Sequence, residues 1–172
     1  FGGREALSMA EVTLDGATVT SASLLLPRVG AWTADVVTDA DTGPTGRCTL
    51  TIDGREWRGA VVRGSVFAGQ WRGRIVGGAG GVVRDLPAVA FQGLTLRSIL
   101  DSTLRDLGET LSGSPEALSA VVDRWHRPAS SGALAVADVA RAAGLSWRIL
   151  PTGLLWLGSE TWSTFTPRSE ER

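Results

Sequence analysis

Two stretches of this chain repeat one pattern of apolar and polar positions: WRGAVVRG at 57–64 and WRGRIVGG at 71–78. Large apolar residues alternate with Arg or Gly at a period of two, as they do in a half-buried strand. Trp57, Gly59 and Val61 fall on one face, with Arg58, Ala60 and Val62 on the other. In the second copy Trp71, Gly73 and Ile75 lie opposite Arg72 and Arg74. Twin strands this close predict a hairpin with its turn within 65–70. The same alternation predicts strands at 11–14 and 17–26 around Asp15-Gly16, and at 31–38, where Trp32, Ala34 and Val36 share a face. It also predicts strands at 47–52 and 55–64 around Asp53-Gly54, a strong two-residue hairpin signal. That turn sets Leu50 opposite Trp57 and Cys48 opposite Gly59, both pairs on the inner face.

Beyond Gly77-Gly78-Ala79-Gly80-Gly81 the period changes. Leu96, Ile99, Leu100, Leu104 and Leu107 follow helical spacing, with Thr95 as N-cap and Gly108 as stop. Ser114-Pro115-Glu116 has the form of a helix start and predicts a second helix carrying Leu118, Val121, Val122 and Trp125. A third helix is expected over 133–143. The chain then returns to β, with strands at 145–150 and 154–158 around Pro151-Thr152-Gly153. Strands followed by helices indicate an α+β fold, and many short antiparallel strands favour a β-barrel. The expected organisation is an N-terminal arm or leader at 1–9, a barrel part at 10–92 and a helical part of about three helices at 93–144. A hairpin at 145–160 returns to the sheet, and 161–172 is a tail or the start of a further part.

Composition narrows the chemistry. Of 172 residues 43% are hydrophobic and 20% charged, within the range of a globular domain that buries a core. All 17 basic residues are Arg, and the net charge is −1. The charges are unevenly spread: residues 1–46 carry two Arg and six acids, residues 47–84 seven Arg and two acids. Alternation presents the Arg of the second block as a solvated outer face. The lone Cys48 reads as a small inward hydrophobe, and no apolar run reaches the length of a membrane span.

The residue types of an active site are sparse. His126 is the single histidine and falls at the end of the expected second helix, where a cation is favoured without catalysis. One His and one Cys fall short of the usual zinc ligand sets. The glycine run at 77–81 fails both dinucleotide and phosphate-loop spacing, because from Gly77 the third position is Ala79, from Gly78 the sixth is Val83, and the chain has no Lys. It reads instead as a flexible hinge. Asp35, Asp39 and Asp41 cluster without calcium-loop spacing. No catalytic, cofactor or metal residue is therefore assigned. The candidate partner-facing residues are Arg58, Arg72, Arg74, Trp156 and Trp162, since Arg and Trp are enriched at interfaces. Arg among aromatics also suggests a single-strand nucleic-acid platform, but strand parity puts Trp57 and Trp71 opposite Arg58, Arg72 and Arg74.

SASLLLPRVGAWTADV (21–36), the repeat at 57–78 with its continuation to Asp85-Leu86-Pro87, GLTLRSILDSTLRDLGE (93–109) and GLSWRILPTGLLWLG (144–158) together resemble the tail baseplate hub proteins of tailed phages and phage-derived injection systems, including the late-control-D type. The match is of pattern and order over most of the chain. The resemblance implies a hub barrel with a helical insertion, assembled with copies of itself as a ring, typically a homotrimer, between the tail tube protein and the central spike protein. DNA would pass along the lumen without specific contacts, with acids at 35–41 as lumen residues. The protein would then be a non-enzymatic part of a virion or phage-like tail baseplate, assembled in the bacterial cytoplasm and not inserted in a membrane. Against the pattern of two barrels, 172 residues hold one barrel plus the helices. The alternative reading is a small β-barrel binding module for single-stranded nucleic acid or oligosaccharide.

Overall fold

The computed structural model describes residues 11–160. Six strands close a barrel in the order β1-β2-β3-β6-β5-β4. They are β1 (Val12–Leu14), β2 (Ala17–Leu25), β3 (Thr33–Thr38), β4 (Gly46–Ile52), β5 (Arg55–Phe67) and β6 (Gln70–Gly77). Three of the hairpin turns hold a non-glycine residue at positive φ followed by Gly: Asp15-Gly16, Asp53-Gly54 and Ala68-Gly69. Such turns match the twist of the strands they join. The β4–β5 register sets Cys48 opposite Gly59 and Leu50 opposite Trp57, as the Asp53-Gly54 turn predicts.

The repeated octapeptide has a packing explanation. Across the β5–β6 hairpin Gly59 stands opposite Gly77, and Gly64 opposite Gly73. A side chain at Gly77 would run into the indole of Trp32, one at Gly59 into the Val76 carbonyl, Ile75 and the edge of the same indole, and those at Gly64 and Gly73 into the indole of Trp71. Each glycine pair thus opens a slot for one indole. Trp32 and Trp71 fill these slots at 2% and 5% exposure, and Trp57 meets Trp32 edge to face at 5.7 Å. Leu14, Ala34, Val36, Cys48, Leu50 and Ile75 complete the interior. The loop from β3 to β4 crosses the barrel end and lays Gly43 on the Trp71 ring.

After the barrel come β7 (Asp85–Leu86), β8 (Val89–Thr95), α1 (Leu96–Leu107), β9 (Leu111–Ser112), β10 (Val121–Arg127), β11 (Ser130–Ser131), α2 (Gly132–Ala142), β12 (Ser146–Ile149) and β13 (Leu155–Gly158). The Thr95 side chain caps α1 by accepting from the Ser98 amide at 3.1 Å, and Gly108 ends it in the left-handed region. Ser131 caps α2 in the same way, accepting from the Leu134 amide. The buried faces of both helices join the barrel in one hydrophobic cluster.

Three expectations are corrected. Two α-helices stand among the described residues, not three. The Ser114-Pro115-Glu116 start leads into a short 3-10 turn, Glu116–Ser119, which extended backbone at Ala120 (ψ 129°) ends. The chain then pairs as β10 with β8 from Val121 opposite Thr95 to Arg127 opposite Val89. The apolar spacing of Leu118, Val122 and Trp125 imitates a helix because a tight turn supplies the first and a strand the others. Adjacent β-branched Val121 and Val122 favour the strand. His126 accordingly sits exposed within β10 and not at a helix end. The 146–158 hairpin does form, in a separate three-stranded sheet ordered β12-β13-β9. Two backbone contacts tie it to the barrel region: a bridge between Gly30 of the β2–β3 loop and Arg148, with Gly30 donating to the Trp147 carbonyl at 2.9 Å, and the Arg58 amide of β5 donating to the Pro151 carbonyl at 2.8 Å.

Candidate partner-facing surface

The barrel is closed by short strands, which leaves a longer face open at its edges. β1 pairs with β2 at Ala17 and Thr18, and from Val19 to Leu25 β2 pairs with β3 alone. On the far side β4 covers β5 up to Val61, and beyond it β5 pairs with β6 alone. Strands β2-β3-β6-β5 therefore form a four-stranded sheet with an unpaired edge on each side among the described residues. The β2 edge carries no charge and no Pro from Ala17 to Leu25, and Leu25 and Leu26 are exposed at its end. Exposed, uncharged edges of this kind are templates for another strand.

The face of that sheet turned away from the core is polar. One cross-strand row reads Ser23, Asp35, Arg74, Arg63, and the next Ser21, Val37, Arg72, Ser65. Arg74 makes a bidentate pair with Asp35, Nε to Oδ1 at 2.8 Å and Nη2 to Oδ2 at 2.6 Å. That hydrogen bond holds the Asp35 carboxyl below its usual range against the opposing effect of burial, helped by the nearby charges of Arg74 and Arg63. Arg72 stacks over the exposed ring of Phe67 at 5.3 Å. A shallow groove of about 290 Å³ lies among Ser21, Ser23, Asp35, Arg63, Arg72 and Arg74. Three arginines against one aspartate make this face net positive. Asp35 is thus charge-paired with Arg74, and Asp39 and Asp41 lie exposed in the loop between β3 and β4.

Arg58 stands apart. It lies on the outer face of β5 beside the Pro151–Gly153 turn, its amide donates to the Pro151 carbonyl at 2.8 Å, and its guanidinium meets Glu56 at 3.2 Å. It borders a second cleft, of about 370 Å³, between the barrel and the later region, shared with Asp15, Arg47, Gly78, Glu109 and Thr152. Trp156 is half-buried on β13 with Arg148 over its ring at 4.5 Å, and Arg148 also pairs with Glu160. Trp162 falls outside the described residues. The candidate set thus divides: Arg72 and Arg74 share a surface, and Arg58 and Trp156 belong elsewhere.

The glycine run at 77–81 joins the two regions, but close packing governs it. The buried Glu109 carboxylate accepts from the amides of Ala79 at 2.9 Å and Gly81 at 2.8 Å. A side chain at Gly81 would collide with the Leu107 carbonyl. The loop amides that a phosphate would need are thus held by an internal carboxylate. Arg84 completes the junction by donating to the carbonyls of Asp106 and Leu107 at the end of α1. Cys48 is buried inside the barrel, and burial pushes its thiol up to about 12, so it stays protonated and unreactive. Among the described residues no group of three His, Cys, Asp or Glu could hold a metal ion, and no helix is long and apolar enough to cross a membrane.

Sequence reasoning passed over Arg63 and Phe67. Their signal was the turn: a two-residue loop at Ala68-Gly69 puts Ser65 opposite Arg72 and carries Arg63 and Phe67 onto the Arg72–Arg74 face. Ala-Gly is a weak turn signal beside Asp-Gly, so the register was not fixed in advance. Glu109, Arg84 and Arg127 were missed because each acts on chain far away in sequence.

No family model matches this sequence, and no curated protein does. Its fold is shared with solved phage tail proteins. The 43 kDa tail protein of prophage MuSo2 from Shewanella oneidensis aligns over 89% of this chain and 54% of its own length, with TM-score 0.60 and 16% identity. A tail protein from Neisseria meningitidis MC58 aligns over 92% of this chain and 56% of its own, with TM-score 0.55 and 18% identity. The chain therefore spans about half the length of each of these proteins.

Proposed function

We propose that this protein is a structural subunit of a phage or phage-like tail, a baseplate hub component that forms a ring with copies of itself between tail tube and central spike. The observation that carries the reading is the barrel fold shared with phage tail proteins over 89% of the chain. Open edges on opposite sides of the four-stranded sheet support it. One edge belongs to β2 and the other to β5, so a head-to-tail contact between copies can join unlike edges and close a ring by rotation. A trimer about the tail axis is the assembly expected from the resemblance, with nucleic acid passing through it. The role is structural and not enzymatic, and its place is the tail baseplate of a particle put together in the bacterial cytoplasm.

Native mass spectrometry and light scattering of the purified protein over about 1–100 µM, a range set by ordinary interface affinities, test this reading. A trimer, or a ring seen by electron microscopy, together with recovery of the protein in purified tails, is the expected result. A monomer throughout that range and absence from tail fractions would overturn it.

A further inference from the structure

We infer that the outer face of the four-stranded sheet is a contact surface for single-stranded nucleic acid, with Arg63, Arg72 and Arg74 taking phosphates and Phe67 offering a stacking face. The inference stands on this face alone and goes beyond the ring reading. Arg63 and Arg74 sit directly opposite each other across β5 and β6. Like charges in that position repel, so the pair is kept at a cost to the sheet unless an anion offsets it. Asp35 offsets one charge through its bidentate pair with Arg74. Arg63 and Arg72 make no ion pair among the described residues. Two positive charges therefore remain on an exposed groove, complementary to a polyanion.

An acidic protein surface would meet that charge equally well. Phe67 favours nucleic acid. It is 65% exposed on the same side of β5 as Arg63, next to the turn, with Arg72 over its ring. An open aromatic beside guanidinium groups on one sheet face is the arrangement on which unpaired bases stack while the backbone tracks the cations. The polar side chains of Ser21, Ser23 and Ser65 keep the rest of the face hydrated and free of bulk. The groove lies between the two open edges, so pairing at the edges leaves it uncovered.

The test is fluorescence anisotropy with a labelled single-stranded 20-mer oligonucleotide, the same sequence as duplex, and poly-glutamate as competitor, from 25 to 300 mM salt. The expected result is single-strand binding that weakens with salt. Changing both Arg63→Gln and Arg72→Gln should lower affinity about tenfold or more at low salt and reduce the log–log salt slope by roughly 0.7 per lost phosphate contact. Phe67→Ala should weaken single-strand binding several-fold while the salt slope holds. Arg58→Gln, off this face, should leave binding unchanged. Circular dichroism and the oligomeric state of each variant are measured alongside, so loss of the ring is seen separately from loss of binding. The inference falls if the oligonucleotide does not bind at 25 mM salt, if the double variant binds as the parent does, if duplex binds as tightly as single strand, or if poly-glutamate displaces the oligonucleotide at equal charge concentration.

Discussion

In the barrel, strands meet around Leu14, Trp32, Val36, Leu50, Trp71 and Ile75, and hairpin turns set most of the register. In the region after Gly77, apolar helix faces still supply the core, but polar side chains fix how the pieces dock. Glu109 holds the glycine loop through the amides of Ala79 and Gly81. Arg84 holds the end of α1. Arg127, 3% exposed, ties β10 to α1 through the Thr103 hydroxyl at 3.2 Å and the Asp106 carboxylate at 3.0 Å. The contrast teaches that one hydrophobic cluster can be positioned in two ways. Period-two alternation and turns place neighbouring strands. Buried hydrogen bonds place irregular segments, whose backbone amides and carbonyls would otherwise lie unsatisfied.

The sharpest way to test the apolar side is to empty an indole slot. Trp71→Ala leaves the space between Gly43, Gly64 and Gly73 unfilled, because three glycines offer no side chains that could collapse into it. A loss of about 3–5 kcal/mol is expected, the range for aromatic truncation in a core. Chemical denaturation followed by far-ultraviolet circular dichroism measures it. A loss under about 1 kcal/mol would mean that the slots do not carry the barrel, and the contrast would lose its first half.

A smaller effect is expected at the junction. Glu109→Gln keeps the shape but replaces one acceptor oxygen with an amide NH2 donor that faces a backbone donor, costing about 1–3 kcal/mol. The informative readout is local. Amide exchange at Ala79 and Gly81 should accelerate about tenfold or more, while Leu50 and Ile75 in the barrel exchange as before, as expected when regions open separately. If the barrel amides accelerate by the same factor, the two regions open as a single unit.

The same contrast explains what was legible in the chain. The closed barrel could be read because Asp53-Gly54 fixes one register and the remaining strands alternate around it. α1 could be read from Thr95, its leucines and Gly108. The 3-10 turn and β10 could not, since Ser114-Pro115-Glu116 is a valid helix start and only pairing with β8 draws Val121–Arg127 into a strand. Tertiary context overrode a local signal there. The positive face was half legible: Arg72 and Arg74 follow from parity, but Arg63 and Phe67 depend on a turn with a weak signature. The Glu109 clamp has no sequence signature at all, because its partners lie 28 and 30 residues away.

That weak turn gives the smallest effect and a test of how the face is aligned. Ala68 sits at φ 50°, in the left-handed region that a Cβ disfavours. Asn tolerates this conformation better than Ala through its local hydrogen bonding. Ala68→Asn should therefore stabilise the protein by about 0.5–1 kcal/mol, a share of the ~1–2 kcal/mol left-handed penalty. Ala68→Gly removes the same clash but enlarges the unfolded ensemble, so it should gain less. Denaturation midpoints of the three proteins should rank Asn above Gly and Gly at or above Ala. Because the turn sets Ser65 opposite Arg72 and Arg63 opposite Arg74, the Asn variant should also keep oligonucleotide affinity unchanged. A destabilised Asn variant would mean that the hairpin closes through a different pair of residues, which would shift Arg63 and Phe67 off the face they share with Arg72.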